Sequence, residues 1–254
     1  MTGSLTVVGL GPGRAELTTP AASAALADAT DLIGYGPYLD RIVAAPAGQR
    51  RHASDNRVEL DRARHALELA ASGKSVAVVS GGDPGVFAMA AAVFEAIEAG
   101  PAEWRALDIR VEPGVTAMLA AAAEIGAPLG SDFCAISLSD NLKSWTTITR
   151  RLEAACVGDF VIALYNPLSK ARPHQLGEAF DILRRHKSPS SVIVMVRAAG
   201  SGEMRRITTT LGEVDPNKAD MRTLVLIGSS ATRLIARDGG EPWIYTPRRE
   251  ELAP

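Results

Sequence analysis

A chain of 254 residues, 46% of them hydrophobic, is long enough to bury one large or two modest α/β cores. Its 27 basic and 29 acidic side chains leave a net charge of −2, which excludes bulk attraction to nucleic acid or an anionic membrane and requires a local cluster of cations for any polyanionic ligand. The two cysteines, Cys134 and Cys156, have no Cys-x-x-Cys spacing, so neither a zinc nor an iron–sulfur site is written here, both read as plain thiols, and no metal is expected.

Residues 5–8, Leu-Thr-Val-Val, predict a first strand, and no basic region or cleavage site precedes it, so the expectation is a cytoplasmic protein without a signal peptide. The strand ends in Gly9-Leu10-Gly11-Pro12-Gly13. A helix follows over 20–29, with Thr18 or Thr19 as its cap and Pro20 at the first helical position. A strand at 32–34 leads into Gly34-Tyr35-Gly36, and the Arg/His-rich stretch 50–57 precedes a helix at 59–71. The strand 76–79 runs into Ser80-Gly81-Gly82-Asp83-Pro84-Gly85, and a helix is expected from Val86 to about residue 99. A strand at 109–112 and the turn Pro113-Gly114-Val115-Thr116 lead to a helix at 117–125, stopped by Gly126-Ala127-Pro128. Its alanine-rich run is broken by Glu124 and Pro128, too soon for a membrane span. The stop sets the expected domain boundary, 1–125 against 126–254. Strands at 133–138, 160–164, 192–196, 207–211 and 224–227, with helices at 145–155 and 173–185, make the second half α/β as well. Its late run of strands with few helices between them suggests a mixed sheet, closed by a tail at 243–245.

The turn 9–13 invites comparison with the dinucleotide fingerprint and fails it twice. The third glycine position holds Arg14, and the second strand ends in Gly34-Tyr35-Gly36 where a ribose-binding carboxylate belongs. A nicotinamide-dependent reductase is thereby disfavoured, as the reading from another enzyme class. The loop 80–85 holds three glycines, Asp83 and no lysine or arginine, which suits a neutral or cationic ligand, such as a sulfonium, better than a phosphate. Two plainer readings stand beside it: an ordinary Gly-Asp-Pro turn, and Asp83 as the N-cap of the next helix. His52, His65, His174 and His186 are scattered, and no Ser-His-Asp or Cys-His constellation appears.

Three strands thus end in Gly/Pro turns before three helices, and in an open parallel sheet such turns gather at the carboxyl edge, where ligands bind. On these residues the chain resembles the tetrapyrrole methylase family, S-adenosylmethionine-dependent enzymes that methylate corrinoid and sirohaem precursors. Val7-Val8-Gly9-Leu10-Gly11-Pro12-Gly13 resembles its first signature, Ser80-Gly81-Gly82-Asp83-Pro84 its second, Pro113-Gly114-Val115-Thr116-Ala117 its third and Ala163-Leu164-Tyr165-Asn166-Pro167 its fourth. Ile33-Gly34-Tyr35-Gly36-Pro37-Tyr38, the Tyr-Asn-Pro at 165–167 and Ile227-Gly228-Ser229-Ser230-Ala231-Thr232-Arg233 resemble most the branch that acts on a precorrin in cobalamin synthesis.

The resemblance implies two α/β domains of the tetrapyrrole methylase type, with S-adenosylmethionine held in the cleft between them and leaving as S-adenosylhomocysteine. It implies a small-molecule tetrapyrrole substrate, no nucleic acid or membrane partner, and usually a homodimer. By matched position it implies cofactor contacts from Gly81, Gly82, Asp83, Val86, Thr116, Ala117, Tyr165 and Asn166, and from Gly200 where the family's spacing varies. Val86 and Leu164 supply apolar lining for an adenosine pocket. Gly11, Pro12, Gly13 and Arg14 belong to the turn that faces the tetrapyrrole, with Pro12 also near the cofactor. In the precorrin branch methylation accompanies contraction of the macrocycle, which needs proton transfers. Asp83, Glu112, Tyr35 and Ser80, in or beside the predicted loops, are the candidate catalytic groups. A precorrin's many carboxylates call for cations, and Arg14 is the first candidate by position, followed by Arg50, Arg51, Arg57, Lys170, Arg172, Arg205 and Arg206. Another precorrin position, a cobalt-bearing precorrin, uroporphyrinogen or ribosomal RNA remain as substrates within the same fold, and a nucleotide-sensing module without turnover as a third class.

Overall fold

The computed structural model describes residues 3–42, 46–55 and 58–249. The chain divides into two compact units, Met1–Ala117 and Met118–Pro254. The division falls at the start of the helix at 117–125, whereas the Gly126-Ala127-Pro128 stop lies at its far end. The Tyr165 hydroxyl accepts the Met118 N–H at 3.1 Å, which ties the first turn of that helix to the second unit.

The first unit is built from β1 (Ser4–Gly9), α1 (Pro20–Asp28), β2 (Asp31–Tyr35), α2 (Gly36–Leu39), β3 (Arg50–Ser54), α3 (Glu59–Ala71), β4 (Ser75–Ser80), α4 (Met89–Ala99) and β5 (Asp108–Glu112). Its five strands form an all-parallel sheet in the order β3-β2-β4-β1-β5. Strands covered on both faces read as continuous apolar runs, and β1, β2 and β4 do so. Leu5, Val7, Ile33, Val76 and Val78 pack on one face against Ala63, Leu67 and Val93 of α3 and α4. Val8, Leu32, Ala77 and Val79 pack on the other against Ala22 and Leu26 of α1. Thr19 caps α1, its hydroxyl oxygen accepting the Ala22 N–H at 3.1 Å, with Pro20 opening the helix.

The second unit holds α5 (Ala117–Ile125), β6 (Gly126–Ala127), β7 (Phe133–Ser137), α6 (Trp145–Val157), β8 (Val161–Tyr165), α7 (Gln175–His186), β9 (Val192–Arg197), β10 (Arg205–Thr210), β11 (Thr223–Ile227), β12 (Arg233–Arg237) and β13 (Gly240–Tyr245). Its main sheet runs β10-β9-β11-β8-β7, with β7 and β8 parallel and the other pairings antiparallel, the mixed sheet expected. A small sheet, β12-β13-β6, stands apart from it. Ile148 and Leu152 of α6 and Leu176, Phe180 and Leu183 of α7 cover Ile162, Leu164, Met195, Val225 and Ile227. Each such buried side chain contributes about 1.5–3 kcal/mol relative to exposure.

Candidate functional site

In the first unit β4, β1 and β5 are neighbours, so the turns that follow them leave the sheet side by side at its carboxyl edge. The turns interlock through their backbones. Gly11 donates to the Gly82 carbonyl at 3.1 Å and Gly82 donates back to the Gly11 carbonyl at 3.0 Å. Gly82 sits at φ +66°, a conformation open to glycine at little cost. A Cβ on Gly114 would stand 2.2 Å from the Gly82 carbonyl oxygen, so only glycine lets the third turn approach the second.

Asp83 fastens this contact. Its Oδ1 accepts the Gly85 N–H at 2.8 Å and its Oδ2 accepts the Gly114 N–H at 3.0 Å. It is therefore not an N-cap. The helix expected from Val86 begins at Met89 behind Ala88, which makes no side-chain cap bond. The intervening residues form a turn in which Val86 donates to the Asp83 carbonyl at 3.3 Å and Phe87 adopts φ +52°. Ser80, which ends β4, is buried, while Glu112 at the end of β5 and Tyr35 at the end of β2 are half-buried. Tyr35 meets Tyr38 edge to face, with centroids 5.4 Å apart. The Tyr38 ring lies against Gly81, where an added Cβ would fall 2.7 Å from its Cζ, and burial raises the Tyr38 hydroxyl pKa. Thr116 is buried just beyond the third turn.

A cation absent from the sequence-based candidates supports the first turn. Arg41 Nη2 donates to the carbonyl oxygens of Leu10 and Gly11 at 3.0 Å and of Gly13 at 3.4 Å. Burial lowers its pKa from the usual arginine value. Arg41 carries no motif of its own, and only the return of α2 beneath the glycine turn reveals its partners. Arg14 is exposed on that turn.

In the second unit Tyr165 ends β8, and Asn166 follows at φ +51°. The Asn166 Nδ2 donates to Ser137 Oγ at 3.0 Å, and its carbonyl accepts from Arg172 Nη1 at 2.9 Å. Buried Arg172 thus clamps this turn rather than facing outward for a carboxylate. Leu164 is fully buried in the core, so it does not line an adenosine pocket. After β9, Ala198 adopts φ +50° and Gly200 φ +70°, and the Ser201 N–H and hydroxyl both donate to the Ala198 carbonyl, at 3.1 and 2.8 Å. Among the described residues four non-glycines have positive φ, and three of them, Phe87, Asn166 and Ala198, lie in turns singled out by the sequence. Backbone strain of this kind gathers where a scaffold holds a binding conformation.

The remaining cations are dispersed. Arg51 donates to the carbonyls of Leu39 and Ile42, Arg206 to Thr208 and to the Pro242 carbonyl, and Arg50, Lys170 and Arg205 are exposed. Arg57 lies outside the described residues. The histidines are not all scattered: His52 Nε2 lies 2.8 Å from buried Asp31 at the start of β2, and His52 Nδ1 lies 3.3 Å from His65 Nε2. Asp31 and these rings sit away from the strand ends that carry the turns. Cys134 and Cys156 are free, and burial raises both thiol pKa values. Among the described residues no group of three or more His, Cys, Asp and Glu is placed to hold a metal ion, and no helix is long and apolar enough to cross a membrane.

Residues 4–215 match the family model of Tetrapyrrole (Corrin/Porphyrin) Methylases. A precorrin-3B C(17)-methyltransferase of Sinorhizobium sp. is 60% identical over 98% of this chain and 97% of its own. The cobalamin biosynthesis protein CobIJ of Mycobacterium tuberculosis is 47% identical over 98% of this chain and 49% of that longer protein. The crystal structure of the methyltransferase CobJ matches with a TM-score of 0.91 at 56% identity, covering 96% of this chain and 100% of that one.

Proposed function

The chain belongs to the tetrapyrrole (corrin/porphyrin) methylase family, and from that premise we propose that it is a precorrin-3B C17-methyltransferase of cobalamin biosynthesis, contracting the ring to precorrin-4 as it methylates. The observation that carries this reading is 60% identity to such an enzyme across 98% of the chain.

The residues present fit S-adenosylmethionine. The turn after β4 holds no cation, as a sulfonium ligand requires, and its one carboxylate is spent on backbone N–H groups. We assign the cofactor to the backbone of Gly81, Gly82 and Asp83 with Val86, Thr116 and Ala117 in the first unit, and to Tyr165, Asn166 and Gly200 in the second. S-adenosylmethionine, when bound, supplies an electrophilic methyl group on a cationic sulfur. An electron-rich pyrrolic carbon is itself the nucleophile, so the chain needs none of its own. Its work is to hold the reactants close and aligned, worth up to about 7–11 kcal/mol in favourable systems. Gly11, Pro12, Gly13 and Arg14 are the proposed tetrapyrrole contacts.

Ring contraction adds proton transfers. Asp83 has both oxygens engaged and Ser80 is buried, which leaves half-buried Glu112 and Tyr35 as the proposed proton carriers. We propose further that the enzyme acts in the cytoplasm as a homodimer, the assembly implied by its resemblance to the tetrapyrrole methylases. Incubation with methyl-labelled S-adenosylmethionine and precorrin-3B, followed by mass spectrometry, tests the assignment. Label at C17 of a contracted macrocycle is the expected outcome. Binding of S-adenosylhomocysteine without transfer would redirect the substrate, and absence of binding would overturn the methyltransferase reading.

A further inference from the structure

Tyr38 stands on α2, after β2, and reaches across to the turn after β4, the strand beside β2 in the sheet. Its ring fills the space that a side chain at position 81 would need: a Cβ on Gly81 would fall 2.9 Å from the Tyr38 hydroxyl oxygen. The hydroxyl therefore lies beside the main chain of the turn assigned to the cofactor. Among the described residues it has no hydrogen-bond partner, and the sealed side-chain atoms that lack one are Gln49 Oε1 and Gln175 Oε1, so the Tyr38 oxygen keeps contact with solvent. Phenylalanine would fill the same space, and a tyrosine hydroxyl on a largely buried ring usually finds a partner.

The surroundings of the hydroxyl fix the kind of atom it suits. Burial raises the Tyr38 pKa, so at neutral pH the oxygen keeps its proton and donates. Four ionisable groups act on it: Arg41 beyond α2, Tyr35 at the end of β2, and Arg62 and Glu59 in the first turn of α3. Two cations against one carboxylate leave a positive field. Arg62 is buried and bonds neutral acceptors, Ser54 Oγ at 2.8 Å, Met89 Sδ at 3.2 Å and the Asp55 carbonyl, while Arg41 bonds the carbonyls of the first turn. Such acceptors satisfy the guanidinium donors without cancelling their charge, and an anion at the Tyr38 hydroxyl lies in the field that remains.

We propose that Tyr38 is a ligand-binding residue whose hydroxyl donates to a carboxylate of the molecule held on the turn after β4. Both assigned ligands bring one, S-adenosylmethionine at its amino-acid end and a precorrin on its acetate and propionate arms. The proposal rests on the reading of the chain as a tetrapyrrole methylase and names the side chain at which that site takes a carboxylate. Arg41 and Arg62 keep their present bonds and contribute charge alone.

The test is calorimetric titration of the native chain and Tyr38→Phe with three ligands. S-adenosylhomocysteine carries the amino-acid carboxylate, methylthioadenosine is a thioether nucleoside without it, and uroporphyrin III is a polycarboxylate tetrapyrrole without a nucleoside. The variant keeps the ring and removes an unpaired hydroxyl, so its thermal unfolding should be native-like. Affinity for a carboxylate ligand is expected to fall at least about tenfold, the scale of a hydrogen bond to a charged group, with methylthioadenosine within about twofold of native. A loss confined to S-adenosylhomocysteine identifies the methionine carboxylate, and a loss confined to uroporphyrin identifies the tetrapyrrole arms. Native-like affinity for both carboxylate ligands would overturn the proposal, as would equal losses for all three, which would mark the hydroxyl as a support of the turn. Should Tyr38→Phe fail to accumulate folded, crystal structures of the native chain with S-adenosylhomocysteine and with uroporphyrin III decide. A carboxylate oxygen about 2.5–2.7 Å from Tyr38 Oη is expected, and none within about 3.5 Å in either complex would overturn the proposal. A native chain that binds neither ligand overturns the methyltransferase reading and this proposal with it, whereas native binding that Tyr38→Phe leaves unchanged overturns this proposal alone.

Discussion

The carboxylate of Asp83 accepts two backbone N–H groups, one from its own turn and one from the turn after β5. An asparagine there would set its NH2 against one of those donors. Asp83→Asn is expected to destabilise the protein by about 1 kcal/mol, the low end of the cost of an unsatisfied donor, because Asp83 and Gly114 are half-buried and Gly85 is exposed. It should also weaken S-adenosylhomocysteine binding, measured by calorimetry beside thermal unfolding, and unchanged values for both would show that the turns are held by other means. Glu112→Gln separates the two chemical events instead. With this proposed proton carrier removed, methyl transfer should persist and ring contraction should fall at least about 100-fold, the usual scale of general acid–base catalysis. Mass spectrometry resolves the methylated, uncontracted product. At this scale the sequence revealed Asp83 as important but not its task, because whether a carboxylate caps its own helix or bonds a turn 31 residues away depends on tertiary approach. Arg41 and Arg172 were illegible as supports for the same reason: their partners are carbonyl oxygens, which every residue has.

Elements were legible where burial imposes a pattern. Strands β1, β2 and β4 are apolar on both faces and α3 and α5 occupy the predicted spans, since their helical apolar period faces a core. Edge strand β3, Arg-Arg-His-Ala-Ser, gave no strand signal because it borders solvent and buries little. The hairpin β12–β13 was read only at its last residues, because all of β12 is exposed and its alternation answers to no core. The start of α4 was misplaced by the strained turn at Phe87, which propensity does not foresee. One link between elements sets a further expectation. The Asp159 carboxylate, ahead of β8, accepts from Lys187 Nζ at 2.8 Å and from the Ser230 N–H at 3.0 Å, joining the end of α7 to the turn after β11. Asp159→Asn leaves the buried Lys187 ammonium without its partner. With Asp159 itself half exposed, screening reduces the expected loss to about 1–2 kcal/mol in denaturant unfolding. A smaller shift would mean that the Gly228 carbonyl, 3.2 Å from the same ammonium, suffices.

Across the whole molecule, acid should act on both units. Burial pulls Asp31 upward, but bonds from His52 and Thr30 and the charge of Lys74 outweigh it and hold the carboxyl below its ordinary value. Burial likewise opposes, and Lys187 and Ser230 overcome, the shift at Asp159, and Arg197 and Thr223 do the same at Asp220. A carboxyl with a depressed folded pKa stabilises fully above its unfolded value near 3.8 and loses that contribution as pH falls through the folded value. Melting temperature should therefore be flat near neutrality and drop below about pH 4, with Asp159→Asn showing a shallower drop. A profile that falls between pH 7 and 5 instead would overturn this account. Sedimentation at micromolar concentration should give twice the chain mass if the proposed homodimer forms, and a single-chain mass at all concentrations would remove it.

The order β3-β2-β4-β1-β5 also dictates when the first unit can assemble. Its first strand lies between the fourth and fifth, with Ser4 beside Ser75 on one side and Asp108 on the other. As the chain leaves the ribosome, β1 therefore emerges first, waits unpaired through roughly seventy residues until β4 is made and keeps one open edge through roughly a hundred until β5, about 5–20 s in all. For that interval an apolar, β-prone segment is open to any other edge it meets, so a chaperone engaged before residue 112 is made should raise the yield of folded protein more than the same help given later, and slowed elongation over that stretch should lower it.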